Sequence, residues 1–365
     1  MEKKNIRKGK IYRTVDCLTT YFLNIVLVAT ILLFVFLSVP VVTGWTSFGH
    51  IAFAQESLTH GPIIGGVTDT SAVVWARIFL PQGSNLTVRY GTDSSSVMKS
   101  GIPAVGVQSS QFREVQYITN ANNPWDYTWK ATVTGLQSDI TYYYAVFNGD
   151  NTIQLSPATF KTFPQPYSDV QFNFLYITDL IRVTKGYNTF RTIDNSLQNF
   201  AFALLGGDLW HRTVTNFSKN ESEFILNLRN EFTTEYSLSD GQYRYFHSLL
   251  SKLPLVHFYD DHDMGLNDLD GTFKWKGDSL SILKEYFPVY QEETMNNGFW
   301  QKFTYGNADF FVLDVRSQRS PIAALDNGQK TMLGDEQFAW LKQGLKASKA
   351  KWKFLISGLV FNPTH

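Results

Sequence analysis

Residues 253–268, LPLVHFYDDHDMGLND, constrain the fold of this chain more than any other stretch. Residues 255–259 form a short, largely apolar run rich in aromatics, which is typical of a buried strand. The run ends in Asp-Asp-His-Asp at 260–263, and three such close carboxylates repel one another unless a cation or an ordered hydrogen-bond network absorbs their charge. The stretch therefore predicts a buried strand whose tip takes part in metal chemistry. A solvated acidic turn with an incidental histidine is the alternative.

The composition allows two domains and excludes several functional classes. A chain of 365 residues is long enough for two domains beyond a targeting segment. Its 32 basic residues balance its 32 acidic residues, so no basic excess indicates a nucleic-acid partner. The single cysteine, Cys17, lies near the N-terminus, so the rest of the chain cannot form a disulfide or a thiolate metal site from its own residues.

Residues 1–54 predict a signal peptide or membrane anchor. Residues 22–42 form an apolar run, preceded by the basic residues Lys3, Lys4, Arg7, Lys8, Lys10 and Arg13. Ala52 and Ala54 offer a small-residue cleavage site directly before Gln55. A cleaved signal and a retained transmembrane helix both stay open, and in either case we expect the remaining chain to be exported. A buried core helix is the alternative, but the run has no polar face.

Residues 55–165 predict a β-sandwich. Short runs of Val, Thr, Trp and Tyr alternate with turn-forming residues, and the clearest strands are 71–77, 86–90, 127–133 and 141–147. Leu136 and the tyrosines at 142–144 indicate a corner where a tyrosine hydroxyl ties its strand to the preceding loop. Trp75 is expected to anchor the core against the opposite sheet. The domain resembles a fibronectin type III module, and we expect it to act as a scaffold.

Residues 166–365 predict an α/β domain that follows a linker at 165–168. Buried strands are expected at 172–178, 202–205, 255–259 and 352–357, with a hairpin over 300–313 that turns at Gly306-Asn307. Helices are expected over 190–200 and over much of 221–252. A further helix is expected to begin at an Asp335 N-cap and to bury Phe338, Leu341 and Leu345.

Acidic residues stand just beyond four of these strands. Ligands of α/β sheets bind outside the carboxyl ends of the strands, so we expect these strand tips to converge on one site. Gly206 and Gly207 allow a sharp turn before Asp208. Two metal ions about 4 Å apart, bridged by Asp208, would activate a water for attack on a phosphoryl group. The predicted metal ligands, which suit iron, manganese, zinc or calcium, are Asp179, Asp208, His211 and Asp261.

Neighbouring residues predict the remaining catalytic roles. We expect His262 to donate to the phosphoryl oxygen or the leaving group, and Arg316 and Arg319 to clamp the anion. A simple pairing of Arg316 with Asp314, two residues earlier, is the alternative. His257 lies inside the apolar strand and is predicted to be a core histidine rather than a ligand.

The order of these motifs resembles the PhoD-like alkaline phosphatases of the metallophosphatase superfamily. The resemblance rests on Asp179, Gly206-Gly207-Asp208, the Asp-Asp-His-Asp run and Asp314-x-Arg316-x-x-Arg319, and it covers residues 58–363. The opening Gly61-Pro62 and the segment Trp75-Ala-Arg77 are similar to the N-terminal sandwich of that family. The resemblance implies an α/β/β/α layered domain and an exported phosphomonoesterase or phosphodiesterase that works with iron and calcium.

The chain also differs from the pattern of that family. Asp179 stands where the family commonly has an iron-binding cysteine, and His211 stands where it commonly has a tyrosine ligand. Both residues still bind metals, but they are harder or more neutral donors, which admits zinc or manganese. Family members continue beyond 352–357 with further ligands, so we expect this chain to be C-terminally incomplete and to bind metal weakly.

Three functional hypotheses follow from the sequence. The leading one is an exported metal-dependent phosphohydrolase that uses a metal-activated water on a phosphate ester. The second is a non-catalytic surface or binding protein that keeps a metal-stabilised second domain. The third is another metal-dependent hydrolase on the same framework. The sequence favours the first because it retains the Asp-Asp-His-Asp run and both arginines; it does not predict the oligomeric state.

Overall fold

The computed structural model describes residues 57–79, 86–99, 107–109, 126–149, 151–154, 156–180, 187–209, 218–235, 244–290 and 297–361. These residues belong to a compact unit, Gln55–His365. The predicted membrane segment at 22–42, the cleavage site at Ala54 and the predicted ligand His211 lie outside the described residues. Within these ranges, no helix combines the length and the apolar character that crossing a membrane requires.

The described residues form fourteen strands. Their bounds are β1 Ser57–Gly65, β2 Ser71–Phe79, β3 Leu86–Gly91, β4 Val107–Ser109, β5 Thr128–Thr134, β6 Thr141–Asn148, β7 Asn151–Thr152, β8 Ala158–Lys161, β9 Leu175–Ile177, β10 Ala203–Gly206, β11 Leu255–Phe258, β12 Gln301–Tyr305, β13 Ala308–Val312 and β14 Trp352–Ile356.

The same residues form seven α-helices and a short 3₁₀-helix, Leu197–Asn199. The α-helices are α1 Ser94–Val97, α2 Tyr187–Asp194, α3 Glu221–Glu235, α4 Arg244–Lys252, α5 Asp261–Met264, α6 Lys276–Tyr286 and α7 Gly334–Ala347.

A six-stranded sheet runs through both halves of the described chain, in the order β5-β2-β1-β11-β10-β9. The N-terminal strands β1, β2 and β5 are antiparallel to one another, whereas β9, β10 and β11 are parallel. The two halves join where β1 pairs in parallel with β11, with Gly65 opposite Leu255. The N-terminal strands therefore extend the sheet that carries the Asp-Asp-His-Asp run.

Two further sheets complete the strand layers. In the three-stranded sheet β12-β13-β14, the hairpin between β12 and β13 is antiparallel and turns at Gly306, as predicted, whereas β13 and β14 are parallel. The other sheet has the order β4-β3-β6-β7, and β8 also pairs with β6. Mixed sheets flanked by helices are thus the architecture of this chain.

The cores lie on opposite faces of the six-stranded sheet. Successive side chains of a strand point to opposite faces, and on β10 Leu204 packs toward the other two sheets while Leu205 packs toward the helices. The sheet-facing core contains Phe202 and Phe310, whose ring centroids are 5.2 Å apart. On the far side of β13, Phe311 and α7 enclose a smaller core. Helices therefore pack on one face of the six-stranded sheet, the other two sheets pack on its opposite face, and α7 packs on the far side of β13.

The predicted tyrosine corner is confirmed. The Tyr142 hydroxyl accepts a hydrogen bond from the backbone N–H of Gln137, at 2.9 Å, and so ties β6 to the loop before it. Trp75 is buried as predicted, but its partner is different. Its indole N–H donates to the carbonyl of Glu285 at 2.8 Å, and its ring lies 5.9 Å from that of Tyr286. Trp75 thus anchors β2 to helix α6 rather than to an opposite sheet.

Two predicted elements are shorter in the structure. The strand expected over 172–178 is limited to β9 at its centre, although Phe172 and Phe174 still pack into the sheet-facing core. The helix expected over 190–200 ends at Asp194. Ser196 directs its hydroxyl to the carbonyls of Thr192 and Ile193, a local bond that competes with continuation of the helix.

The prediction for helix α7 was wrong in its start and in part of its buried face. The N-cap residue is Leu333, so Asp335 lies inside the first turn rather than before it. Phe338 is 57% exposed, whereas Gln337 is fully buried beside Leu341. Gln337 replaces an apolar residue on this face because its amide bonds to the backbone of Asp314, which apolar periodicity does not predict.

Candidate active site

Three neighbouring parallel strands bring candidate residues to one edge of the six-stranded sheet. Leu205 of β10 stands opposite Ile177 of β9 and His257 of β11. The chain leaves these strands toward Asp179, Asp208 and residues 260–263. The carboxyl ends of parallel strands meet at the same edge, so the acidic residues collect there.

A double-glycine turn positions Asp208. Gly206 has φ 149°, and a Cβ atom at this position would lie 1.5 Å from the carbonyl oxygen of Phe258, so no other residue fits. Gly207 and Asp208 follow with φ 62° and 61°, in the left-handed region. Aspartate tolerates this region better than most residues, and non-glycine residues held there cluster at functional sites.

Asp208, Asp261 and His262 form a group that can ligate a metal ion. Each offers one ligand atom, and these atoms all lie within 4.8 Å of one another. The backbone N–H of His262 contacts the Oδ1 atoms of Asp208 and Asp261, at 3.1 and 3.0 Å. Two carboxylate oxygens and an imidazole are donors that suit zinc, manganese and iron. The donor set of this group, hereafter the metal-ligand triad, therefore fits a metal ion.

The electrostatics of the triad favour a bound cation. Burial, and then the carboxylates of Asp263, Asp261 and Asp260, raise the pKa of Asp208 far above its ordinary range. Such a shift means that the folded chain holds the negative charge of Asp208 at a cost. A metal ion would offset that cost because it is the largest local positive charge such a site can acquire.

Asp263 binds the backbone of the two segments that carry the triad. It is fully buried, and its carboxylate accepts the backbone N–H groups of Asp208 at 2.9 Å, Leu209 at 3.3 Å and Asp260 at 3.0 Å. These bonds tie the loop after β10 to the loop after β11. Burial raises the pKa of Asp263 to about 7.

Arg316 reaches the same edge from the loop after β13. Its side chain is buried, its Nε donates to Asp260 Oδ1, and its Nη2 lies 3.4 Å from Asp261 Oδ2. The sequence offered an anion clamp and a simple pair with Asp314 as the roles of Arg316. The simple pair with Asp314 was wrong, since the Arg316 side chain pairs with Asp260 and Asp261 and only its backbone N–H bonds to Asp314, at 3.1 Å. The anion clamp stays a prediction.

Asp314 fixes the loop that carries Arg316. Its fully buried carboxylate accepts bonds from the Tyr259 hydroxyl at 2.5 Å, from the N–H of Phe299 at 3.0 Å and from the N–H of Ser317 at 2.9 Å. Gln337 of α7 binds the backbone of Asp314 on both sides, at 2.8 and 2.7 Å. The arginine loop is therefore held by β11, by α7 and by the segment before β12.

Of the other predicted residues, the structure describes Asp179 and Arg319, and neither is a member of the triad. Asp179 is exposed at the tip of β9 with φ 58°, and its N–H donates to the carbonyl of Gly207 at 2.7 Å, but it is not a member of the triad. Arg319 is half-buried, and its carbonyl accepts the N–H of Gly271 at 3.0 Å. His211 belongs to the part of the chain that the structure does not describe.

The sequence did not predict separate roles for Asp260, Asp263 and Asp314. A weak signal existed for the first two, because aspartates three residues apart at a strand end match the spacing of a helix capping box. The bond from Asp260 N–H to Asp263 is consistent with that box. Asp314 gave no signal, since its partners come from distant segments.

A cavity of about 400 Å³ lined by Tyr90, Leu136 and Tyr142 lies among the N-terminal strands, apart from these residues.

Acidic and histidine ligands at the carboxyl edge of a parallel sheet define an α/β protein with a candidate metal centre. The model of the PhoD-like phosphatases matches residues 185–365, and the model of their N-terminal domain matches residues 45–164. The chain belongs to the PhoD-like phosphatase family.

Two relatives are similar over most of this chain. Alkaline phosphatase D of Bacillus subtilis (strain 168) is 27% identical over 349 residues, which cover 85% of this chain and 57% of that protein. A solved structure of PhoD has a TM-score of 0.62 and 20% identity, and the match covers 82% of this chain and 62% of that chain. This chain thus spans less than two thirds of the length of either relative, and the solved structure supports the fold alone.

Proposed function

We propose that this chain is an exported metal-dependent phosphohydrolase of the alkaline phosphatase type, which cleaves phosphate monoesters or diesters with a metal-activated water. The observation that carries the proposal is the metal-ligand triad, with its ligand atoms within 4.8 Å at the strand tips. Membership of the PhoD-like phosphatase family and the similarity to an alkaline phosphatase support the substrate class.

Asp208, Asp261 and His262 would hold the first metal ion, with Asp179 and His211 as additional ligands for a second. Iron and calcium are the ions that the family implies, and zinc or manganese would also suit these donors. A bound ion would polarise a phosphoryl oxygen and make a nearby water more acidic. Asp208 would be the natural bridging ligand because its Oδ1 already accepts the N–H of His262 at 3.1 Å, while the carbonyl of the preceding Gly207 accepts the N–H of Asp179 at 2.7 Å.

The remaining roles belong to protein side chains. His262, through the ring N–H that does not face the metal, would donate a hydrogen bond to a phosphoryl oxygen or to the leaving oxygen of the ester. Arg316 and Arg319 would offset the negative charge that grows on the phosphoryl oxygens. Arg316 is supported by its place beside Asp261, at 3.4 Å. The role of Arg319 is supported by the sequence pattern alone.

The outer parts of the chain complete the proposal. Residues 55–165 would form a fibronectin type III-like sandwich that acts as a scaffold, and residues 166–365 a metallophosphatase domain. The tyrosine corner at Tyr142 supports the sandwich. Residues 22–42 would anchor the chain in the membrane, or the chain would be secreted after cleavage near Ala54; the apolar run and its basic flank support export.

Hydrolysis of aryl phosphate mono- and diesters by this chain, supplied in turn with iron, calcium, manganese and zinc, tests the proposal. We expect Asp208→Asn to lower kcat/KM by at least about 100-fold, because replacing residues merely adjacent to metal ligands already costs 10- to 100-fold. Asp169→Asn is the matched control, since Asp169 is exposed and belongs to none of the motifs. A protein that binds metal and hydrolyses neither ester would contradict the proposal and support the non-catalytic alternative.

A further inference from the structure

Asp260 stands directly before the triad residue Asp261, yet its side chain is directed to a different partner. It is 7% exposed, and its Oδ1 accepts a hydrogen bond from the Nε of Arg316. Asp261 instead uses Oδ1 for the N–H of His262 and Oδ2 for the N–H of Asp268. The two consecutive carboxylates therefore share only Arg316, which bonds to Asp260 through Nε and lies 3.4 Å from Asp261 Oδ2 through Nη2.

The loop after β14 closes the other side of the Asp260 carboxylate. A Cβ atom at Gly358 would lie 3.0 Å from both Cγ and Oδ2 of Asp260, and 3.1 Å from its Cβ. A Cβ atom at this position would force the Asp260 carboxylate to move by a few tenths of an ångström. Asp260 is thus enclosed between Arg316 and the backbone of Gly358, an arrangement that we call the arginine seat.

Arg316, the other member of the arginine seat, makes further contacts that hold it in place. The guanidinium of Arg316 also directs Nη1 to the carbonyl of Leu269, at 3.4 Å, and Nη2 to Asp261. Its backbone N–H is bound by Asp314, which is itself held by Tyr259. A guanidinium is a planar fork, so fixing its Nε fixes the direction of its other donors.

We propose that Asp260 is a positioning residue and not a metal ligand: it holds Arg316 at the side of the metal-ligand triad, where the guanidinium takes part in binding the phosphoryl group. This inference rests on the proposed function, because it assigns a phosphoryl group as the anion that Arg316 meets. Within the Asp-Asp-His-Asp run, Asp260 then orients the arginine, Asp261 and His262 bind the metal ion, and Asp263 accepts backbone N–H groups.

The test measures two affinities, that of Mn²⁺ for the chain and that of inorganic phosphate for the Mn²⁺-loaded chain, both by calorimetry. Gly358→Ala keeps every charge but displaces the Asp260 carboxylate. Gly277→Ala is the control, since a Cβ atom at Gly277 would meet nothing within 4 Å. We expect Gly358→Ala to retain the Mn²⁺ stoichiometry and to weaken phosphate binding about tenfold, the scale of a lost charge-assisted hydrogen bond, while Gly277→Ala changes neither.

Asp260→Asn provides an independent variant, with Asp261→Asn as its comparison. Asp260→Asn should keep the Mn²⁺ stoichiometry and lose phosphate affinity, and Asp261→Asn should lose Mn²⁺. The inference is overturned if Asp260→Asn loses Mn²⁺ as Asp261→Asn does, or if both Asp260→Asn and Gly358→Ala bind phosphate as tightly as the unchanged chain. Neither affinity depends on turnover, so a chain that follows the expected pattern without hydrolysing esters would contradict the proposed function and leave the arginine seat supported.

Discussion

At the scale of single residues, His257 shows how burial decides what a histidine does. Its ring is fully buried and stacks on Phe287, with 3.5 Å between the ring centroids and 7° between the planes. Burial lowers its pKa to about 3. The imidazole is therefore neutral in the folded chain, in agreement with its prediction as a core histidine.

This burial predicts a pH dependence of stability. An unfolded histidine titrates near its ordinary pKa of about 6.5. Between that value and about 3 the unfolded chain binds a proton that the folded chain excludes, so this group costs stability as the pH falls. We expect His257→Phe to reduce the loss of unfolding free energy between pH 7.5 and pH 5.0 by about 2 kcal/mol, as measured by urea denaturation. An unchanged difference between the two pH values would show that His257 is charged or exposed in the folded chain.

At the scale of elements, a buried ionic network joins the N-terminal strands to the helices. Glu285 of α6 accepts Arg229 Nη2 of α3 at 2.8 Å, and its other oxygen accepts the N–H of Asp126 at 2.6 Å. Asp126 in turn binds Arg77 of β2 through Nε at 2.5 Å and Nη2 at 3.0 Å. Removing one member of such a network leaves another charge buried without compensation.

Glu285→Gln tests the energetic weight of this network. The substitution keeps the shape of the side chain but removes the charge that compensates Arg229, and we expect it to lower the unfolding free energy by about 3 kcal/mol. The matched control is Asp139→Asn at an exposed pair with Lys161, whose side chains are 60% and 53% exposed, and we expect a change within about 0.5 kcal/mol. Equal effects of the two substitutions in denaturant titrations would refute the structural role of the network.

Local sequence patterns predicted the elements whose formation depends on residues close together in the sequence. The strand at 255–258, the hairpin turn at Gly306 and the tyrosine corner follow from apolar runs, a glycine and a tyrosine, and all three are confirmed. Asp208 and Asp261 were predicted as metal ligands from their places after strands, whereas His262 was predicted as a donor to the phosphoryl group, and these roles stay predictions. The role of Gln337, the seat of Arg316 on Asp260 and the partner of Trp75 depend on segments far apart in sequence, and spacing alone carries no information about such contacts.

At the scale of the whole molecule, one continuous sheet links the N-terminal strands to the candidate active site. The link is the pairing of β1 with β11, and the strand order runs from β5 to β9 without interruption. β11 is also the strand that leads, through Tyr259, to Asp260 and to the triad residues Asp261 and His262. The N-terminal strands therefore support the edge of the sheet on which the triad lies, besides forming a layer of their own.

The most direct test of the account is a crystal structure of this chain grown with Mn²⁺, in which anomalous scattering locates the ion. The account predicts an anomalous peak at coordination distance from the carboxylates of Asp208 and Asp261 and from the His262 imidazole, since these atoms already lie within 4.8 Å of one another. It also predicts that the Asp260 carboxylate still accepts the hydrogen bond from Arg316 Nε when the ion is bound. A saturated crystal with no peak at these three residues, or with Asp260 bound to the ion, would contradict it.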